Sequence, residues 1–179
     1  AKTTWECTMS SEAISKVTDG LLNAIRAERE GQHFYLMAAQ TCRDSKGREV
    51  FEQLAAEELG HAEFLQKQYR SLLDTGRPDE NLKLGTQTDL QGPNPIFSDQ
   101  IRSRLKDAHF EMTALSVGAQ LELDAQKYYL ERAAESEAIY IKTFYLELAD
   151  WEAVHYRALV SQQESLKEDY WSGSGFAPF

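Results

Sequence analysis

The apolar positions along this chain recur every three or four residues in long runs, the spacing of one buried face on an α-helix. In the first run Ile14, Val17, Leu21, Leu22, Ile25, Glu28, Gly31, Gln32 and Tyr35 line one face, with Ser10 and Ser11 available as caps. It predicts a helix from near Glu12 to about Cys42. A turn, Arg43-Asp44-Ser45-Lys46-Gly47, leads to a second run that carries Val50, Leu54, Glu58, His61, Leu65 and Leu72 inward. So short a link makes the first two helices antiparallel neighbours. Asp74-Thr75-Gly76-Arg77-Pro78 stops the second helix.

About thirty residues then pass without strong periodicity, a length that in a compact bundle implies a crossover to the far end. Within them Gln91-Gly92-Pro93-Asn94-Pro95 reads as a loop, and Ser98 is expected to cap a short helix through Leu105. Helical periodicity returns over about Thr113–Ala134, with Leu115, Ala119, Glu122, Ala125 and Tyr129 inward. It returns again over about Glu137–Leu166, with Phe144, Leu148, Glu152, His155 and Leu159 inward. The brief junction Ala134-Glu135-Ser136 makes these a second hairpin. The expected fold is all-α: a four-helix bundle of two antiparallel hairpins joined by a long crossover. Residues 1–11 are expected to form an N-terminal arm, 12–168 the bundle, and 169–179 a non-helical, aromatic tail.

The two hairpins are copies of each other. Glu58 and His61 stand three residues apart, as do Glu152 and His155, and 152 − 58 = 155 − 61 = 94. The same offset carries Ala27-Glu28 onto Leu121-Glu122, Phe34-Tyr35 onto Tyr128-Tyr129, Ala39 onto Ala133, and Leu54-Ala55 onto Leu148-Ala149, with no gap. Two such hairpins pack about a pseudo-twofold axis. The repeat nominates six metal ligands: Glu28, Glu58, His61, Glu122, Glu152 and His155. Two Glu with two Glu-x-x-His pairs is the constellation of carboxylate-bridged dinuclear bundles. Four carboxylates against two divalent ions leave a buried site near neutrality when filled. Hard oxygen donors with one imidazole per metal suit iron or manganese, with zinc as a competitor.

Around these six, Tyr35 and Tyr129 sit two turns beyond Glu28 and Glu122, where they pack in the core or hydrogen-bond a ligand carboxylate. Glu57 and Asp150 are candidates to orient a ligand His, although Trp151 occupies the position that matches Glu57. The small residues Gly31 and Ala125, each one turn past a candidate ligand, are expected to line a path for peroxide or O2. His33 and His109 have no counterpart at the offset and read as surface or packing residues.

Composition narrows the function classes. The net charge of −10 disfavours duplex nucleic acid, which needs a clustered basic surface. No stretch approaches the roughly eighteen apolar residues of a membrane span, and the polar first residues lack signal-peptide character, so a soluble, cytoplasmic protein is expected. Cys7 and Cys42 are too few and too far apart for a CxxC knuckle; ordinary thiols are the first reading and a disulfide the second.

Taken together, Ala24-Ile25-x-x-Glu28-x-x-Gly31-x-x-Phe34-Tyr35, Glu57-Glu58-Leu59-Gly60-His61-Ala62-Glu63, Leu121-Glu122-x-x-Ala125-x-x-Tyr128-Tyr129 and Glu152-x-x-His155 make the chain resemble the rubrerythrin-like branch of the ferritin-like di-iron proteins. The resemblance spans about residues 12–168. It implies two iron ions bridged by Glu58 and Glu152, with Glu28 and Glu122 terminal. It also implies reduction of hydrogen peroxide during oxidative stress, often by a homodimer, and the leading expectation is a di-iron oxidoreductase that reduces peroxide or O2 with electrons from a separate donor protein. Oxidation and storage of iron, a ferroxidase role, is the alternative. The chain departs from well-studied rubrerythrins in lacking the rubredoxin-type domain with its two CxxC knuckles. It also has Ala125 where they carry a further carboxylate.

Overall fold

In the computed structural model, residues 10–174 are described, apart from the side chains at 170, 171, 173 and 174. They form four long helices: α1 (Ser11–Thr41), α2 (Ser45–Thr75), α3 (His109–Glu135) and α4 (Ile139–Ser174), with a 3-10 turn over Asp99–Asp107 before α3. No strand occurs among the described residues. α1 packs along α2 and α3 along α4, while α1 and α3 meet over a shorter stretch. The expected pair of hairpins with a crossover is therefore present.

Local chemistry sets the helix ends. Ser10 Oγ accepts from the Ala13 N–H at 3.2 Å, and Asp44 Oδ1 accepts from the Gly47 N–H at 2.9 Å, each satisfying a donor that the first turn leaves free. α2 stops at Gly76, whose φ of 71° is left-handed and whose N–H reaches Leu72 O at 2.9 Å. Inside the bundle the helices enclose two apolar clusters. One gathers Tyr35, Phe51, Leu54, Phe97, Leu115 and Leu159; the other gathers Leu21, Phe64, Leu65, Tyr129, Phe144 and Leu148. Between them, at mid-helix on all four helices, lie the buried carboxylates and imidazoles.

The crossover does more than span the bundle. Buried Gln68 accepts from the Asp79 N–H at 2.9 Å and donates to Asp79 O at 3.0 Å. Buried Gln162 accepts from the N–H groups of Ile96 and Phe97 at 3.1 and 2.9 Å. These two glutamines are themselves related by the offset of 94, so each half of the repeat clasps one end of the crossover. Asp44 adds a third clasp, accepting from Ser98 N and Ser98 Oγ at 3.0 and 2.5 Å.

Several expectations need correction. Ser98 precedes the 3-10 turn but makes no capping bond, because its hydroxyl is already engaged by Asp44. α3 begins four residues earlier than the apolar pattern indicates. Its first turn holds buried Glu111, which accepts from the Arg43 N–H at 3.2 Å and pairs with Arg104 at 3.3 Å. A polar residue buried in this way leaves no apolar signal. α4 runs to Ser174, so the first residues of the expected tail are helical; its last turns are anchored by the Arg102–Asp169 ion pair at 2.5 Å, and extending a formed helix costs little. The rest of the tail and most of the N-terminal arm, Cys7 included, lie outside the described residues. Cys42 is buried and free, and burial raises its thiol pKa to about 11.

Gly47 marks the tightest junction. A Cβ there would lie 2.4 Å from Phe97 Cδ1 and 2.9 Å from Cys42 Sγ. Gly47→Ala is accordingly expected to destabilise the chain by about 1–3 kcal/mol through overpacking. Urea unfolding reads this directly, and an unchanged midpoint would mean that the crossover does not seat Phe97 there.

Candidate dinuclear metal centre

Each half of the repeat delivers three side chains to the layer between the apolar clusters. α1 supplies Glu28, α2 supplies Glu58 and His61, α3 supplies Glu122, and α4 supplies Glu152 and His155; all six are buried. Their donor atoms form two groups, Glu28–Glu58–His61–Glu152 and Glu58–Glu122–Glu152–His155, with the atoms of each within 4.8 Å of one another. Glu58 and Glu152 belong to both. The pseudo-twofold read from sequence is thus a spatial one, with the shared pair from α2 and α4 between two unshared glutamates from α1 and α3.

The polar atoms here lack partners in a way that fits metal ions. Glu58 Oε1, both carboxylate oxygens of Glu152, His61 Nε2 and His155 Nδ1 are buried with no hydrogen bond, five of the seven such side-chain atoms found among the described residues. Buried polar atoms are ordinarily satisfied, and orphaned ones cost about 1–3 kcal/mol each. His61 Nδ1 lies 3.2 Å from Glu28 Oε2 and from Glu152 Oε1. His155 Nδ1 lies 3.4–3.5 Å from Glu122, Glu58 and Glu152 oxygens. These distances permit ion pairing but leave the Glu152 oxygens without a well-formed hydrogen bond. Lone pairs from four carboxylates and two imidazoles converge on one layer, a donor set that suits hard or borderline divalent ions.

Without metal, the cluster manages its charge through protons. Burial, reinforced by repulsion from Glu152, Glu28 and Glu122, pushes the Glu58 carboxyl well above its ordinary range. Burial likewise raises Glu122 to about 8. For Glu152 burial also pushes upward, but the contacts with Glu122, His155 and His61 outweigh it and hold this carboxyl well below the usual range. Burial would lower both imidazoles, yet the adjacent carboxylates, Glu28 at His61 and Glu122 at His155, raise them instead. A group of acids and bases that shift in opposite directions is a mark of a functional site.

The surrounding shell is also mostly paired across the bundle. Tyr35 OH of α1 donates to Glu122 of α3, and Tyr129 OH of α3 donates to Glu28 of α1. Burial and the neighbouring carboxylates raise both phenols well above their ordinary value, so they remain protonated donors. Of the two roles open to these tyrosines, the structure thus displays hydrogen bonding as well as packing. Glu57 Oε2 accepts from His155 Nε2 at 2.9 Å, and Glu57 Oε1 accepts from the Thr88 N–H at 2.7 Å. Asp150 is exposed, as are His33 and His109. Sequence reasoning missed Thr88, which nothing short of the folded crossover could have revealed. It also missed Gln68 and Gln162, which the offset of 94 would have paired.

The two sides of the cluster differ. The crossover lies over the α2–α4 side, where Thr88 meets Glu57 and Gln87 reaches Trp151 O at 3.4 Å. Between α1 and α3 a cavity of about 290 Å³ reaches the cluster, lined among others by Gly31, Ala125, Glu58, Tyr35 and Tyr129. A Cβ on Gly31 would lie 3.1 Å from Glu58 Oε2, so a larger residue there would crowd that carboxylate on its cavity side.

Two antiparallel hairpins that converge four glutamates and two histidines on one buried layer define the class of ferritin-like carboxylate bundles. Residues 19–92, which contain Glu28, Glu58 and His61, match the family model Rubrerythrin. Over that segment the chain is similar to rubrerythrins, and its two groups of buried carboxylates and imidazoles are compatible with a di-iron site. Glu122, Glu152 and His155 lie beyond the matched segment and join it through the internal repeat. No curated protein and no solved structure gives a match. Among the described residues, no helix is long and apolar enough to cross a membrane.

Proposed function

We propose that this chain is a cytoplasmic di-iron oxidoreductase that reduces hydrogen peroxide, or O2, with electrons from a separate donor protein, protecting against oxidative stress. The observation that carries this reading is the sharing of Glu58 and Glu152 by both ligand groups, beside a cavity that Glu28, Glu58 and Glu122 line. Iron held there would supply two one-electron couples side by side, as two-electron cleavage of an O–O bond requires. Hydrogen peroxide takes up two electrons and two protons to give two waters.

The chain's own residues prepare that chemistry. Glu58 and Glu152, common to both ligand groups, would be shared by two ions, and Glu28 and Glu122 would each serve one. Tyr129 and Tyr35 fix the orientation of these terminal carboxylates through their phenolic protons. Gly31 and Ala125 leave room for a small polar oxidant beside Glu58, while the crossover shields the opposite side from water. Exposed Leu36 and Met37 on α1 and Val117 and Leu130 on α3 offer apolar surface to the homodimer this reading includes.

A ferroxidase that oxidises and passes on iron is the second reading, favoured by exposed Glu30 and Asp124 at the cavity rim, which would attract cations. Stopped-flow reoxidation of the reduced protein separates the two. Fast reaction with peroxide and slow reaction with O2 supports the peroxidase, whereas a large cage with many irons per chain in native mass spectrometry supports the ferroxidase. Ala125→Leu, which fills the cavity, is expected to leave metal content unchanged and slow the reaction with peroxide by about tenfold or more. Unaltered kinetics in that variant would move the access path elsewhere.

A further inference from the structure

One position breaks the match between the two halves of the centre, because Glu57 in α2 has Trp151 as its counterpart in α4. The consequence shows at the imidazoles. His155 Nε2 donates to Glu57 Oε2 at 2.9 Å, and the Thr88 N–H at 2.7 Å holds the other oxygen of that carboxylate. With the Nε2 proton held there, Nδ1, which faces Glu58, Glu122 and Glu152, is the nitrogen left to bind an ion. Across the pseudo-twofold axis, the ring of His61 instead meets the ring of Trp151 at 4.9 Å and 78°, and His61 Nε2 is buried without a partner. To offer Nδ1 to a metal, His61 must carry its proton on Nε2, where no acceptor waits.

A carboxylate behind a ligand imidazole orients the ring and makes it a stronger donor. Only one of the two histidines has one. We propose that the two metal positions differ in affinity: the one formed with His155 fills first and retains its ion, and the one formed with His61 fills second and exchanges readily. Glu57 acts as the positioning residue of the first, and Trp151 keeps the second weak. This rests on the metal-binding reading above. It gives the centre one anchored and one exchangeable ion, an asymmetry that the near-identical ligands do not themselves contain.

Anaerobic titration of the metal-free full chain with Co(II), followed by calorimetry and visible absorption, tests it. Two binding steps are expected, separated by about 10- to 100-fold in affinity. Glu57→Gln keeps the size of the side chain and an acceptor for Thr88 while removing the charge. It should weaken the first step by about tenfold or more and leave the second nearly unchanged, whereas a purely structural role for Glu57 predicts no selective effect. Trp151→Glu, checked for folding by circular dichroism, should tighten the second step. Two equal ions in the unmodified chain, or a Glu57→Gln first step as tight as before, would overturn the proposal. Absence of any Co(II) binding by the unmodified chain would remove the metal-binding reading itself.

Discussion

Glu152→Ala is expected to lose both metal ions, not one, and to lower overall affinity by at least a factor of about a hundred. The floor comes from partners that merely support a ligand, whose removal already costs roughly 10- to 100-fold; Glu152 is a ligand in both groups. No backbone group depends on Glu152 as those clasped by Gln162 or Asp44 do; its partners in the metal-free fold are the imidazoles of His61 and His155, at 3.2 and 3.5 Å, which also lie against Glu28 and Glu122. The helical circular dichroism should therefore survive the change. Glu28→Ala provides the contrast, because Glu28 belongs to one group alone, and that variant should retain close to one ion per chain. Elemental analysis after anaerobic loading distinguishes the two. A Glu152→Ala chain that kept a full ion would mean that Glu152 is not shared.

Metal removal should produce the second large effect. An ion that binds the folded chain alone stabilises it by about 4 kcal/mol at a thousandfold excess over its dissociation constant. For a chain of this length each kcal/mol is worth roughly 2–4 °C, so the loaded protein should melt upwards of about 10 °C above the metal-free one. The gap should widen with pH. In the metal-free fold Glu122 titrates near 8 and Glu58 well above the ordinary carboxylate range, both chiefly through burial.

A carboxyl whose pKa is raised on folding contributes stability that is complete below its unfolded value and is lost as pH rises through the folded value. Glu122 should thus cost the metal-free protein roughly 1 kcal/mol per unit between pH 6 and 8. The raised His61 and His155 act with the same sign, losing their contribution as pH climbs through their own folded values. Glu152 and Glu57 are lowered, Glu57 because its bonds from His155 and Thr88 outweigh burial. Their contributions are lost only in acid and do not alter this window. Thermal melts at pH 6, 7, 8 and 9 should show the metal-free midpoint falling and the loaded one nearly level. A metal-free midpoint that rose over this range would contradict the charge arrangement described.

Most of the bundle was legible because its information is repeated. Apolar periodicity set the helices, and the offset of 94 alone tied Glu28, Glu58 and His61 to Glu122, Glu152 and His155. What escaped shares a physical cause. Gln68, Gln162, Glu111 and Asp44 are polar side chains buried to satisfy backbone donors of other segments, and in a sequence such residues resemble a solvated face. Only the path of the crossover shows which N–H groups they serve. Ser98 looked like a cap for the same reason, its hydroxyl being claimed by a residue fifty-four positions earlier. The end of α4 was hidden by Gly173 and Ser174, whose low helix propensity is overridden where a preceding turn is anchored by Arg102 and Asp169.

Ala125 sharpens the chemical question. The cavity between α1 and α3 lies where Gly31 and Ala125 face each other across the repeat, and neither can supply a further oxygen ligand. If these six residues hold the ions, the space beside Glu58 would be left to an incoming molecule. A fixed donor set with an open flank favours reaction at the centre over a purely structural role for its ions.

The most direct test of the central claim is the metal content of the full chain purified without added metal, together with its visible spectrum before and after chemical reduction. Two iron ions per chain, with near-ultraviolet and visible absorption that bleaches on reduction and returns with peroxide, are the predicted result. A chain that carries no metal and takes none up on anaerobic incubation with Fe(II), while remaining folded, would contradict it.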